Sequence, residues 1–197
     1  MARYRVGLET RERILAAARS LLGEVGFEGT TLKAISDRAG IGAGSFYNLF
    51  RSKDDAVLEV VRQAINAVDP DPSGLGKETV ADLVHAYVAF LSDDQQLARI
   101  YVRLAVTGVL TDGGLAGRVR RHHAARVERF TEALRRDRPD LEGPEAAAQA
   151  EAAVAALTGF AVHWLVDGLF DLHGQAHRLI ATLTGQVPDH ADAPGRP

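Results

Sequence analysis

Residues Thr31–Phe50 read TLKAISDRAGIGAGSFYNLF. Leu32, Ile35 and Ala39 recur at helical spacing behind a capping residue, Thr31, so a short helix is predicted over Leu32–Ala39. Gly40 breaks it by supplying the positive φ that a tight turn needs. A second short helix is predicted from about Gly42 to Leu49. Two short helices joined by Ala39-Gly40-Ile41 have helix-turn-helix spacing. Ser36 is small enough for the second helix to cross closely, Ile41 plugs the gap between the two, and Phe46 and Phe50 anchor the second helix from its other side. Gly42, Ala43 and Ser45 are left facing outward. Side chains that short let a helix lie deep in a major groove, N-terminus toward bases or phosphates. A plain helical hairpin with glycine at its turn would read the same over these residues alone.

The flanks continue the helical pattern. Ile14, Ala18, Leu21 and Val25 share one face of a helix predicted over about Glu9–Val25, and Gly26 ends it as a left-handed cap. Ser52-x-x-Asp55 resembles a capping box and starts a fourth helix reaching about Val68. Asp69-Pro-Asp-Pro-Ser-Gly is a loop by its turn residues. Further helices are predicted at about 76–92, 94–107, 114–137, 144–167 and 173–184, with Pro144 at the first position of the penultimate one. No segment alternates with period two, and no internal repeat is present. The expected fold is all-α, about nine helices: a three-helix head over residues 1–53, a larger helical body over 54–187, and a disordered tail over 188–197.

Composition narrows the function. The chain has 197 residues and no cysteine, which excludes disulfides, thiol catalysis and Cys-ligated metal. The net charge of −3 hides an asymmetry. Residues 1–53 hold nine Lys/Arg against five acids, +4, so the remainder carries −7. A basic head on an acidic body suggests a polyanion partner for the head. No apolar run approaches the roughly 18 residues of a membrane helix, and the N-terminus lacks a secretory h-region; no membrane partner and a cytoplasmic location are expected.

Several patterns carry no chemistry on their own. Gly40-x-Gly42-x-Gly44 follows a helix, not a strand, and lacks the endings of a phosphate-binding loop. His173 with His177, and His163 with Asp167, can each share a helix face, but further metal ligands are not evident beside them. No Ser/His/Asp set has a strand-turn-helix context, so neither an enzyme, a metal nor a cofactor is expected.

From Thr10 to Val61 the sequence resembles the DNA-binding domain of TetR-family transcriptional regulators. The resemblance is carried by Arg13-Ile-Leu-x-Ala-Ala, Gly26-Phe-x-Gly-Thr-Thr, Ile35-Ser-x-Arg-Ala-Gly-Ile-Gly-x-Gly-Ser-Phe-Tyr-x-x-Phe and Ser52-Lys-Asp-Asp-x-Val-Leu. It implies backbone contacts to double-stranded DNA from Thr31, Tyr47 and Lys53, with Lys33, Ala43 and Ser45 as candidates for base edges. Two positions depart from the family pattern. Gly42 stands where a capping Ser is frequent, and Asn48-Leu49 where relatives carry aromatic or His residues; Asn48 can still reach a phosphate. The Arg3–Arg5 pair can enter a minor groove or simply be solvated.

The resemblance also implies a homodimer on a palindromic operator and a small-molecule effector bound in the body, releasing a repressor from DNA. The competing expectation is a ligand-independent, weakly sequence-selective DNA-binding or partner-binding module. Candidate effector contacts are Tyr87, Phe90, Arg103, Thr107, His123 and Trp164. Arg103, on an otherwise apolar helix, is expected to be buried against an internal acid or a ligand carboxylate. The last two helices are expected to pair with their copies through Ala152, Ala156, Gly159, Phe160, Leu179 and Leu183.

Overall fold

The computed structural model describes residues 2–107 and 114–186; the side chains of residues 2–4, 107, 114 and 115 are not described. The predicted tail and the Thr111-Asp-Gly-Gly connection lie outside the described residues, wholly or in most part. Nine helices are present among the described residues: α1 Ala2–Gly29, α2 Leu32–Ala39, α3 Ala43–Tyr47, α4 Lys53–Ala67, α5 Val80–Asp93, α6 Gln95–Thr107, α7 Gly114–Asp137, α8 Gly143–Val166 and α9 Leu172–Thr184. The chain packs as two units, Met1–Ala67 with Phe90–Arg120, and Val68–Ala89 with Arg121–Pro197.

In the first unit α1 contributes Ile14, Leu15, Ala18, Leu21 and Leu22 to a core completed by Ile35, Phe46, Val57, Val60 and Val61. α1 begins seven residues before the predicted start, so Arg5 sits on a helix, one turn from its partner Glu9, not on an extended arm. Gly26 does break the helix, but at φ 70°, ψ −176° it is not a left-handed cap. That region is essentially reserved for glycine. Its carbonyl accepts both the amide and the hydroxyl of buried Thr30, which turns the chain into α2. Gly40 is left-handed (φ 62°, ψ 43°), and the Arg13 guanidinium reaches across to the carbonyls of Ala39 and Gly40, tying the turn to α1. At the same end of α2, Arg38 makes a two-point ion pair with Glu24 of α1.

The second unit is built on α8. Ala146, Ala150, Ala153, Val154, Leu157 and Ala161 form its buried face. Val84, Val88, Phe130, Leu134, Leu172, Ala176 and Leu183 are buried in the same unit. α5 starts four residues later than predicted, because Lys77–Thr79 belong to an ordered loop. In that loop Arg129 holds Asp69 in a bidentate pair (2.8 and 3.0 Å) and reaches Glu78 (3.1 Å), whose side chain is 3% exposed. The guanidinium holds the Asp69 carboxyl below the usual carboxylate range. Asp137 accepts the Val80 amide at the start of α5 (2.8 Å).

α8 amends one expectation. By length and composition it is long and apolar enough to cross a membrane. A core helix passes the same test, and 28% of the apolar window of this one is buried, along one face.

The packing makes one residue decisive for the head. Phe46 is fully buried, with the Phe50 ring 5.7 Å away. Phe46→Ala is expected to cost about 3–5 kcal/mol, the range for truncating a buried aromatic ring. Urea unfolding checks this; a loss under ~1 kcal/mol would show that Phe46 is not the anchor.

Candidate nucleic-acid interface

A helix of five residues offers little surface, and α3 divides it sharply. Phe46 points inward; Ala43, Gly44, Ser45 and Tyr47 are exposed, as are Asn48 and Leu49 after them. Tyr47 is 60% exposed and stands edge-on to Phe46 with ring centroids 6.0 Å apart. An aromatic ring left this open suits a surface meant to be covered. Gly42 is the extended N-cap of α3, and its carbonyl takes the amides of Ser45 and Phe46 (3.0 and 3.2 Å). With no side-chain cap, the first amides of α3 remain directed outward, where an anion is favoured.

The flanking candidates are placed differently. Thr31 is exposed and caps α2: its Oγ1 accepts from the Ala34 amide at 3.1 Å. The hydroxyl proton stays available to a phosphate oxygen. Lys33 is exposed and paired with Asp37 one turn on (2.6 Å), a pair weak enough for a phosphate to displace. Lys53 folds back: its Nζ donates to the Phe27 carbonyl (3.0 Å) and lies 4.4 Å from the Phe27 ring centroid. The net charge of the head therefore overstates its free charge. Arg11, Arg13, Arg19 and Arg38 are all committed to Glu59, to turn carbonyls, to Asp94 and to Glu24.

In the second unit the Arg126 guanidinium lies 4.7 Å from the centroid of half-buried Tyr87. His122 is half-buried, and burial, then the nearby Arg126 charge, pushes its pKa down to about 4. The expected residue, His123, is exposed. Helical period was the missed signal: His122, Arg126, Phe130 and Ala133 recur on one face of α7, and His123 lies off it. Trp164 is half-buried. Phe90 is buried in the first unit, edge-on to Tyr101 at 5.4 Å. Thr107 ends α6, its side chain outside the described part. Arg103 overturns its expectation: it is 47% exposed, paired with Glu28 (2.5 Å) and stacked 4.6 Å from the Phe27 centroid, so its acid is internal and its site is the surface.

For the pairing residues, Ala152 is exposed, Ala156, Gly159, Phe160 and Leu179 are half-buried, and Leu183 is buried within its own unit. His177 Nδ1 sits 2.9 Å from the His173 carbonyl. Among the described residues no three His, Cys, Asp or Glu groups converge as metal ligands.

A helix-turn-helix head is thus in place, and the regular elements of the described residues are all helices. The family model described as "Bacterial regulatory proteins, tetR family" matches residues 14–60, from α1 into α4. Residues 14–60 are similar to the DNA-binding domain of TetR-family transcriptional regulators. A similar sequence is the HTH-type transcriptional repressor KstR2 of Mycolicibacterium smegmatis, 38% identical over 56 residues. That match covers 28% of this chain and 27%, about a quarter, of the relative. Solved structures extend the likeness in fold. SmeT, the repressor of the Stenotrophomonas maltophilia multidrug efflux pump SmeDEF, superposes with a TM-score of 0.64 at 24% identity, covering 95% of this chain and 96% of that one. FadR from Bacillus subtilis, in complex with stearoyl-CoA, gives 0.65 at 17%, covering 89% and 98%.

The half-buried imidazole has a measurable consequence. A histidine with a depressed folded pKa takes its proton in the unfolded chain first, so stability falls as pH drops from about 6.5 to about 4. His122→Gln is expected to flatten Tm against pH across that window; an unchanged profile would show that His122 is not the group titrating.

Proposed function

We propose that the chain is a transcriptional regulator that reads a palindromic DNA operator as a homodimer, with residues 1–53 as reading head and 54–187 as effector-binding and dimerisation body. The observation that carries the reading is the exposed face of α3. Ala43, Ser45 and Tyr47 stand outward on a helix fixed from behind by Phe46 and open at its N-terminus. Thr31, Tyr47 and Lys53 serve as backbone contacts, Lys33, Ala43 and Ser45 as base contacts, Asn48 as a phosphate contact, and Gly42 as the open start of α3. The regulation we favour is repression relieved by a small molecule. KstR2 and SmeT carry the name of repressor, and FadR was solved with a ligand. Tyr87, His122 and Arg126 offer a phenol, a neutral imidazole and a cation within the body, where an effector's polar end can be held.

Dimerisation is supported by the second face of α8. Ala148, Ala152, Ala155, Gly159, Val162 and Val166 recur at alternating spacings of four and three, and all but half-buried Gly159 are exposed. Val166 is 83% exposed, and Leu169 just beyond is 94% exposed. Small residues at that spacing let two helices approach closely. A methyl group built on Gly159 meets nothing within 4 Å. Gly159→Leu is therefore expected to leave the fold intact and weaken the dimer at least tenfold in sedimentation; an unaffected dimer would place the interface elsewhere.

The deciding experiment is selection of genomic DNA fragments by the purified protein at physiological salt. An enriched palindrome supports the operator reading. Uniform recovery supports the weakly selective DNA-binding module instead. Tyr47→Ala is expected to weaken recovered duplexes about tenfold, the loss of a charge-assisted phosphate hydrogen bond, with Tm unchanged. Binding at wild-type strength would remove Tyr47 from the interface.

A further inference from the structure

The turn between α3 and α4 follows the head's exposed surface, and a residue from far along the chain holds it. Asp55, 8% exposed, sits in the first turn of α4. Its Oδ2 accepts the Arg51 amide at 3.1 Å, and its own amide donates to Ser52 Oγ at 3.2 Å. This carboxylate therefore fixes the backbone between Phe50 and Lys53. Its other oxygen, Oδ1, pairs with Arg118 Nη2 of α7 at 2.8 Å. The same turn is gripped from α6, where Arg103 stacks on the Phe27 ring that also carries Lys53. A carboxylate this buried is held in place by its hydrogen bonds and by the cation beside it, and losing the cation leaves it poorly satisfied. Removing Arg118 leaves Asp55 a reason to swing toward water, and the Arg51 amide loses its acceptor.

We propose that Arg118 is a positioning residue for DNA binding: through Asp55 it sets the α3–α4 turn. The proposal rests on the DNA-reading function above.

The test uses the full-length protein and two readouts. Hydrogen exchange over residues 46–58 reports on the turn without DNA, with α8 as internal reference. Arg118→Ala is expected to speed exchange at the turn roughly tenfold, the scale of a lost charged hydrogen bond, and to leave α8 alone. Affinity for duplexes recovered by genomic selection should fall by a similar factor, with Arg118→Lys retaining most of it. Asp55→Asn keeps the acceptor for Arg51 but loses the charge, so adding Arg118→Ala to it should cost little more. Unchanged exchange and affinity in Arg118→Ala overturns the proposal. So does exchange that rises equally throughout the chain, which marks general loss of stability, or full additivity of the two substitutions. If the wild-type protein selects no DNA, the regulatory reading falls with the DNA-positioning role, and exchange still decides whether Arg118 holds the turn.

Discussion

A helix of five residues cannot hold itself together. Its nucleation cost is never recovered over so short a run, and α3 has no side-chain cap to help. Its position comes from Phe46, whose ring is fully enclosed by the first unit while its neighbours on α3 face solvent. The rest of the head follows from that one burial. Phe50 packs beside it, Gly40 lets the chain enter at the required angle, and Arg13 ties the turn carbonyls to α1. A short, deeply anchored helix with a small-residue outer face is what a groove reader requires, because stiffness must come from behind when the front has to remain open.

Charge joins separate segments both in the head and in the body loop. In the head, the arginines counted as a basic excess mostly join helices to one another. Arg38 bridges α2 to Glu24 of α1, and Arg11 joins α1 to Glu59 of α4. The groups left to meet phosphate are hydroxyls, amides and a few cations around α3, so positioning outweighs bulk attraction in the proposed contact. In the loop before α5, Arg129 does the same joining work for Asp69 and nearly buried Glu78. An inward Glu beside two arginines orders a loop whose sequence, rich in Pro and Gly, reads as irregular.

α8 shows why composition alone misleads. Its apolar length invites a membrane reading, yet its residues serve two faces, one in the core and one exposed with small side chains. Periodicity cannot tell which of two apolar faces of one helix is core; burial does. The same limit explains His123. Adjacent histidines are equivalent in a list, and only the angle each takes around α7 separates the buried ring from the exposed one.

The sequence by itself determined the helices, the turn at Gly40 and the inward placement of Phe46 and Phe50, because these depend on spacing and local backbone freedom within a few residues. The boundaries of α2 were legible for the same reason: Thr31 and Gly40 cap it at both ends. Only the tertiary structure decided the pairs that join distant residues. Arg103 was expected in a buried site and lies on the surface against Glu28 and Phe27; Lys53 turns back onto Phe27; Arg118 reaches Asp55. An arginine side chain is long and its charge can be met by many acids, so which one it meets is fixed by how helices pack and not by anything beside it in the chain.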